Sequence, residues 1–359
     1  MIKKVYLCGM KLQTTIEIPQ PKRLLGLRNH IAFIGSCFAE KIGMKMRQSG
    51  LPALVNPFGV LFNPLSILQM LTQNPMEDAL YFADEDGRWH CWLADSSKNA
   101  SSREACQAGI LSARGRLFSW SPDTLVITLG TNRYYQRRPD RPTPKLSPEG
   151  GESSNLRGEF ERSEALPYTG ERGEGLPLVD CGEGLIVVGN CHKRPQTEFV
   201  ERDLSVSEAT EVLDRICSLF PQSQIILTVS PYRYAKYGFH ESRLAKAVLL
   251  LAVDEVIRRR PEQVSYFPAY EIQLDELRDY RFFDADMLHP SPQAVDYIWE
   301  RFADRWLDAE THRFLVDYEP IRKAMQHRPD DPDSPATIRF RERTQEQLNA
   351  LMEKYHIEP

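Results

Sequence analysis

The stretch Ile31-Ala32-Phe33-Ile34-Gly35-Ser36-Cys37-Phe38-Ala39-Glu40 decides the fold. A short apolar run ends in glycine and a hydroxyl-thiol pair. A helical pattern starts at once, with Phe38, Ile42 and Met46 on one face and Lys41 and Lys45 on another. The order reads as strand, sharp turn and helix. In an open α/β sheet such a turn lies at the carboxyl end of a strand, where ligands bind and where the helix amides favour negative charge. A thiol there is expected to ionise more easily than a free one. The competing reading has Ser36 capping the helix and Cys37 packing beneath it.

The same rhythm recurs outward from this stretch. Thr124 to Leu129 is an apolar strand ending in Gly130-Thr131-Asn132, and Ile225 to Pro231 is a third central strand. Leu185 to Asn190 and Val264 to Phe267 read as further strands, and Leu51 to Val55 as a short one. Helices are predicted to about Gln48, over Ser102 to Phe118, after the capping box Ser205-Val206-Ser207-Glu208, and from about Ser242 to Arg260. The last of these is expected to bury Leu244, Val248, Leu251 and Val256. Leu80 to Phe82 and Trp89 to Leu93, flanking Asp84 to Gly87, form a β-hairpin. Repeated β-α units imply right-handed crossovers and a doubly wound, mostly parallel sheet with helices on both faces.

Three regions stand apart. Residues 1–20 read as an N-terminal extension and a strand over Thr14 to Pro19, with Met10 as a second natural beginning. From about 137 to 184 the composition turns to Pro, Gly, Glu, Arg and Ser, which suggests a mobile insertion in a domain spanning 21–307. Residues 308–359 read as a tail of two or three helices, broken at Pro320 and near Pro329 to Pro335, packed on the domain or joining copies of the chain.

Composition narrows the class. With 359 residues, 42% of them hydrophobic, a substantial core can be buried. A net charge of -5, spread along the chain, offers no basic patch for nucleic acid and no membrane surface. No apolar run is long enough for a membrane span or signal peptide. The seven cysteines (Cys8, Cys37, Cys91, Cys106, Cys181, Cys191, Cys217) lack disulfide or zinc-ribbon spacing, which suits a reducing, cytoplasmic setting. A metal site from Cys37, Cys191, His192 and His289 is disfavoured on the same ground, and no cofactor is expected.

Near the end, Asp284-Ala285-Asp286-Met287-Leu288-His289-Pro290-Ser291-Pro292 opens another helix, with Ser291 as cap and Pro292 first in it. Asp286 and His289 would present an imidazole oriented by a carboxylate, as a base serving a hydroxyl or thiol nucleophile requires. Gly59, in Asn56-Pro57-Phe58-Gly59, is either a turn glycine or a point of backbone approach to a ligand. Arg133 and Arg233, near strand ends, hint at an anion but also suit ordinary solvated positions.

The succession of nucleophile turn, Gly59 loop, Gly130-Thr131-Asn132 and Asp286-x-x-His289 resembles the SGNH or GDSL hydrolase superfamily. Gly35-Ser36-Cys37-Phe38-Ala39 resembles more closely the signature of the GSCFA family. The likeness extends through Asn56 to Gly59, Asn190-Cys191-His192-Lys193 and Leu277 to Phe282, over about Pro21 to Phe302. It implies an SGNH-hydrolase-like, flavodoxin-like three-layer sandwich and an esterase or acyltransferase acting on a small acyl or carbohydrate substrate. Cys37 would stand where that superfamily has its serine, with Ser36 as the alternative nucleophile and His289-Asp286 completing a triad. Oxyanion donors map to the amides of Cys37 and Gly59 and the side chain of Asn132, with Asn190 as a second amide. His192 would hold a substrate carboxylate or serve the structure. The alternative is an inactive binding module that retains the cleft.

Overall fold

A computed structural model describes residues 14–137 and 186–357. Five parallel strands form the central sheet: β1 (Ile31–Gly35), β2 (Ala53–Val55), β5 (Thr124–Leu129), β9 (Gln224–Val229) and β10 (Val264–Tyr266). Their spatial order is β2-β1-β5-β9-β10. The chain runs outward from β1 to β2, then crosses to β5 on the other side of β1. The carboxyl ends of β1 and β5 therefore flank a topological switch point, where open α/β sheets leave a crevice.

Alternation along each strand feeds two cores. Ala32 and Ile34, Leu125, Ile127 and Leu129, and Ile225, Leu227 and Val229 enter one; Ile31, Phe33, Val126 and Ile226 enter the other. Burial on both faces is why these strands read as unbroken apolar runs. The first core is covered by α2 (Pro64–Thr72), α3 (Arg103–Trp120), α4 (Val206–Leu219) and α5 (Phe239–Arg259). The second is covered by α1 (Cys37–Gln48), through Phe38, Ile42 and Met46, and by α7 (Pro292–Trp306), through Ile298, Phe302 and Trp306. Between β10 and α7 lies α6 (Ala269–Glu271), which continues as a π-helix over Ile272–Leu277.

The hairpin forms as expected, pairing β3 (Tyr81–Ala83) with β4 (Trp89–Cys91). A second, antiparallel sheet of order β7-β6-β8 joins β6 (Arg133–Arg137), β7 (Ile186–Val188) and β8 (Phe199–Asp203). The strand expected near Leu185 to Asn190 thus lies outside the central sheet.

Several expectations need correcting. Among the described residues Thr14 to Pro19 pairs with no strand; its backbone is bonded instead by side chains, Ile16 N donating to Glu276 and Ile16 O accepting from Arg301. Residues 1–13, with the Met10 beginning, and the insertion from residue 138 onward fall outside the described residues. Helix α5 starts at Phe239 and buries Lys246, Leu249, Ala252, Val253 and Val256, while Leu244 and Leu251 are exposed. A lysine on the core side displaces the apparent apolar stripe. Pro320 does not break its helix, for α8 (Ala309–Gln326) passes through it. Pro320 and the residue one turn before it, Val316, both face solvent, where a freed carbonyl can bond water. Helix α9 (Pro335–Lys354) follows, and both dock on the second core through Phe314, Ile321, Leu351 and Tyr355.

Candidate active site

The turn after β1 is built so that only glycine fits. Gly35 has φ +135°, and a Cβ there would stand 2.2 Å from Thr128 O. Ser36 N donates to the same carbonyl at 3.0 Å, which binds the turn to β5. From the other side Asn56 Oδ1 accepts from Gly35 N at 2.9 Å, so the Asn56-Pro57-Phe58-Gly59 loop pins the residue before the hydroxyl-thiol pair.

Ser36 is buried, and its Oγ accepts from Phe38 N at 3.3 Å as the cap of α1. Cys37 opens the helix and is half-buried; its amide has no intrahelical acceptor, as befits the first turn. Both residues line a cavity of about 190 Å³. Gly130 and Thr131 after β5, and Ser230, Tyr232 and Tyr234 after β9, form its sides. Arg133 and Tyr135 of β6 and Val188 to Cys191 of the β7 end form a further wall, and Phe62 and Asn63 before α2 complete the lining.

The ease of ionisation expected of Cys37 is opposed by its burial. Burial pushes the thiol up from its ordinary value, and Lys41, its own amide and Lys246 only partly offset this. Cys191, in the same cavity, is pushed up to about 11 by burial.

Asp286 and His289 do meet, His289 Nδ1 to Asp286 Oδ2 at 2.5 Å. The carboxylate also accepts the amides of Leu288 and His289 at 2.8 and 2.9 Å. The bond from the ring, then the two amides, hold Asp286 well below the usual carboxylate range. Since the carboxylate accepts at Nδ1, the neutral ring carries its proton there and leaves Nε2 as a base. His289 itself is not part of the cavity lining, but its ring packs on Tyr232 with centroids 4.3 Å apart. Two braces fix the Asp286-His289 loop: Lys41 Nζ donates to Pro290 O at 3.4 Å, and Arg233 donates to Leu288 O and Met287 O at 3.0 and 3.1 Å.

Of the other sequence candidates, Gly59, Asn132 and His192 are not part of the cavity lining, whereas Asn190 and Arg133 are. Gly59 N donates to Asn56 O at 2.8 Å, and a Cβ at Gly59 would lie 2.0 Å from the Asp95 carboxyl, so its φ of +80° makes room for Asp95. Asn132 is buried, with Nδ2 donating to Leu204 O at 2.7 Å. His192 Nε2 donates to Cys91 O at 2.9 Å while Nδ1 faces His90 Nδ1 at 3.3 Å, which joins the end of β7 to the hairpin. Burial pushes that imidazole below its ordinary value, as suits a structural histidine. Asn190 does line the cavity; its Oδ1 accepts His192 N at 2.7 Å, leaving its Nδ2 donor for the cavity. Arg133 is paired bidentately with Asp203 at 2.7 and 2.8 Å, and so is not a vacant anion site. Among the described residues no group of three or more His, Cys, Asp or Glu could hold a metal ion, and no helix is long and apolar enough to cross a membrane.

One residue escaped the sequence reading. Lys246 of α5 is 2% exposed and donates to Gly130 O at 2.6 Å and Ser230 O at 2.8 Å, two carbonyls at the cavity edge. Its signal was available: positions 246, 249, 253 and 256 share one helix face, and a lysine stands in line with three apolar residues.

A solved structure, the Clostridium thermocellum family 3 carbohydrate esterase, matches at 11% identity over 83% of this chain and 99% of that one, with a TM-score of 0.30. No curated protein matches the chain. A model described as the GSCFA domain protein, C-terminal domain, matches residues 318–357, a span that runs from within α8 to just beyond α9. The GSCFA family model matches residues 30–149 and 182–302, a span that carries the Gly35-Ser36-Cys37 turn, the switch point and the Asp286-His289 loop, and the chain belongs to the GSCFA family.

Proposed function

We propose that the protein is an acyl-ester hydrolase or acyltransferase for a small acylated molecule, such as an acylated carbohydrate or cell-envelope precursor, with Cys37 as nucleophile. The observation that carries this reading is the Asp286-oriented imidazole of His289 packed on Tyr232, which lines the same cavity as the helix-opening Cys37. Ser36 is the weaker nucleophile because its hydroxyl is committed to the cap.

In the proposed reaction Cys37 Sγ attacks the acyl carbonyl and its proton passes to His289 Nε2. The imidazolium is supported by Asp286, and the oxyanion by the Cys37 amide and the Asn190 Nδ2. Collapse expels the alcohol, which takes the proton from His289 and leaves a thioester on Cys37. Water or an acceptor hydroxyl then gives its proton to His289, attacks the thioester and regenerates the thiol.

The test is turnover of a panel of activated esters and acetylated sugars by wild type, His289→Ala, Cys37→Ala and Ser36→Ala. His289→Ala and Cys37→Ala should abolish turnover while Ser36→Ala keeps a measurable rate. A second reading, an inactive binding module, is favoured by one observation: the Gly59 amide and the Asn132 side chain are bonded elsewhere. It prevails if wild type and His289→Ala are indistinguishable on every ester while a panel member raises the melting temperature of wild type.

A further inference from the structure

Lys246 raises an electrostatic problem. Its ammonium lies within the core-facing side of α5, and its two acceptors, Gly130 O and Ser230 O, are neutral carbonyls. A buried cation held only by carbonyls carries most of its desolvation cost uncompensated. An ammonium has three donors, and these two bonds use two of them. Each of Lys246 and Cys37 favours the charged form of the other, Lys246 being the smallest of the influences on Cys37, after burial, Lys41, its own amide and Glu40. Gly130, Ser230 and Cys37 line one cavity, so the lysine sits behind the strand ends that face the thiol.

We propose that Lys246 is a positioning residue for the acyl transfer: its ammonium, anchored on the carbonyls of Gly130 and Ser230, is the counter-charge that supports the Cys37 thiolate. This rests on Cys37 being the nucleophile of the proposed reaction, and its deciding readout is alkylation, with turnover used only to separate the two readings. Burial drives the two groups in opposite directions, Lys246 down to about 7 and Cys37 up, and each charge eases the formation of the other. They titrate as a coupled pair. Lys41 also favours the thiolate and Glu40 opposes it; the Tyr232 phenol is raised chiefly by burial and further by Cys37. Those groups stay in place when Lys246 alone is replaced.

The experiment measures the iodoacetamide alkylation rate of Cys37 across a pH series by peptide mass spectrometry, in wild type and Lys246→Met, with Cys191 in the same digest as internal control. The Cys37 midpoint should rise by at least about one pH unit in the variant, roughly a tenfold loss of rate at neutral pH, while the Cys191 profile is unchanged. A Cys37 profile in folded Lys246→Met that superimposes on wild type overturns the inference. If circular dichroism shows Lys246→Met unfolded, the reciprocal measurement decides: the Lys246 13Cε titration should shift downward in Cys37→Ala, and an unmoved midpoint refutes the coupling. An unmoved Cys37 midpoint with ester turnover intact would remove Lys246 from the scheme and leave the reaction standing. A shifted midpoint with no turnover of any ester would do the reverse.

Discussion

Replacing Lys246 by methionine should change how stability depends on pH, by an amount the structure sets. The lysine's folded-state value lies near 7 against an ordinary 10.5, with burial as the cause. A depressed lysine is fully charged in both states below about pH 7. Between the two values the unfolded chain holds a proton that the folded protein lacks, so unfolding becomes harder as pH rises, by ~1.4 kcal/mol per unit. Wild type should therefore gain about 2 kcal/mol relative to Lys246→Met between about pH 7 and 8.5. Conversely, lowering the pH through 7 exposes the whole cost of the buried charge, on the order of 4–5 kcal/mol, which methionine avoids. Urea unfolding at several fixed pH values measures this, with the difference between the two proteins as the readout. Subtraction removes the opposing effect of Cys91 and Cys217, pushed up to about 12 by burial, which are common to both. A difference that stays flat from about pH 6 to 8.5 would mean the ammonium is compensated in the folded state and would refute the desolvation argument.

Gly35→Ala should prevent folding or cut the urea midpoint severely, because a Cβ 2.2 Å from the Thr128 carbonyl has no side chain to push aside. Asn56→Ala, which leaves Gly35 N without its acceptor, should cost about 1–3 kcal/mol in chemical unfolding. In native protein Cys37 should be alkylated faster than Cys191, and Cys91, Cys106 and Cys217 should stay unlabelled until denaturant is added; peptide mapping reads all five. Asp286→Asn should lower ester turnover by about a hundredfold or more, less than His289→Ala does, since the ring loses its orienting acceptor but keeps its base.

What the sequence revealed follows from what water can reach. Strands β1, β5 and β9 are buried on both faces, so their apolar runs stand out, and the Ser102, Ser205 and Ser291 caps mark helix starts through local bonds alone. Strands β6 and β8 escaped because one face is wet and carries Arg133, Glu201 and Asp203, whose ion pairs are set across the sheet. The face of α5 was misread because its buried side includes a cation whose partners are carbonyls from two distant strands. Asp286 and His289 are near neighbours along the chain, and their bond is a local event. The duties of Gly59 and Asn132 depend on Asp95 and Leu204, whose proximity no spacing reveals.

The antiparallel trio β6, β7 and β8 gives the molecule a division of labour that selection can use. Cys37, Asp286 and His289 belong to the parallel sheet and its loops, whereas Tyr135, Val188, Asn190 and Cys191 reach the cavity from the trio. Among its fastenings to the rest of the molecule are Ser66 Oγ to Val188 O at 3.1 Å, the amides of Gly189 and Asn190 to Trp92 O, and Lys236 Nζ to Tyr135 Oη at 3.1 Å. Substitutions on its cavity-facing positions can reshape the wall while the turn at Gly35 and the imidazole at His289 keep their geometry. Tyr135, which lines the cavity and takes no part in the proposed chemistry, is the position where a change in what the cavity admits should first be sought.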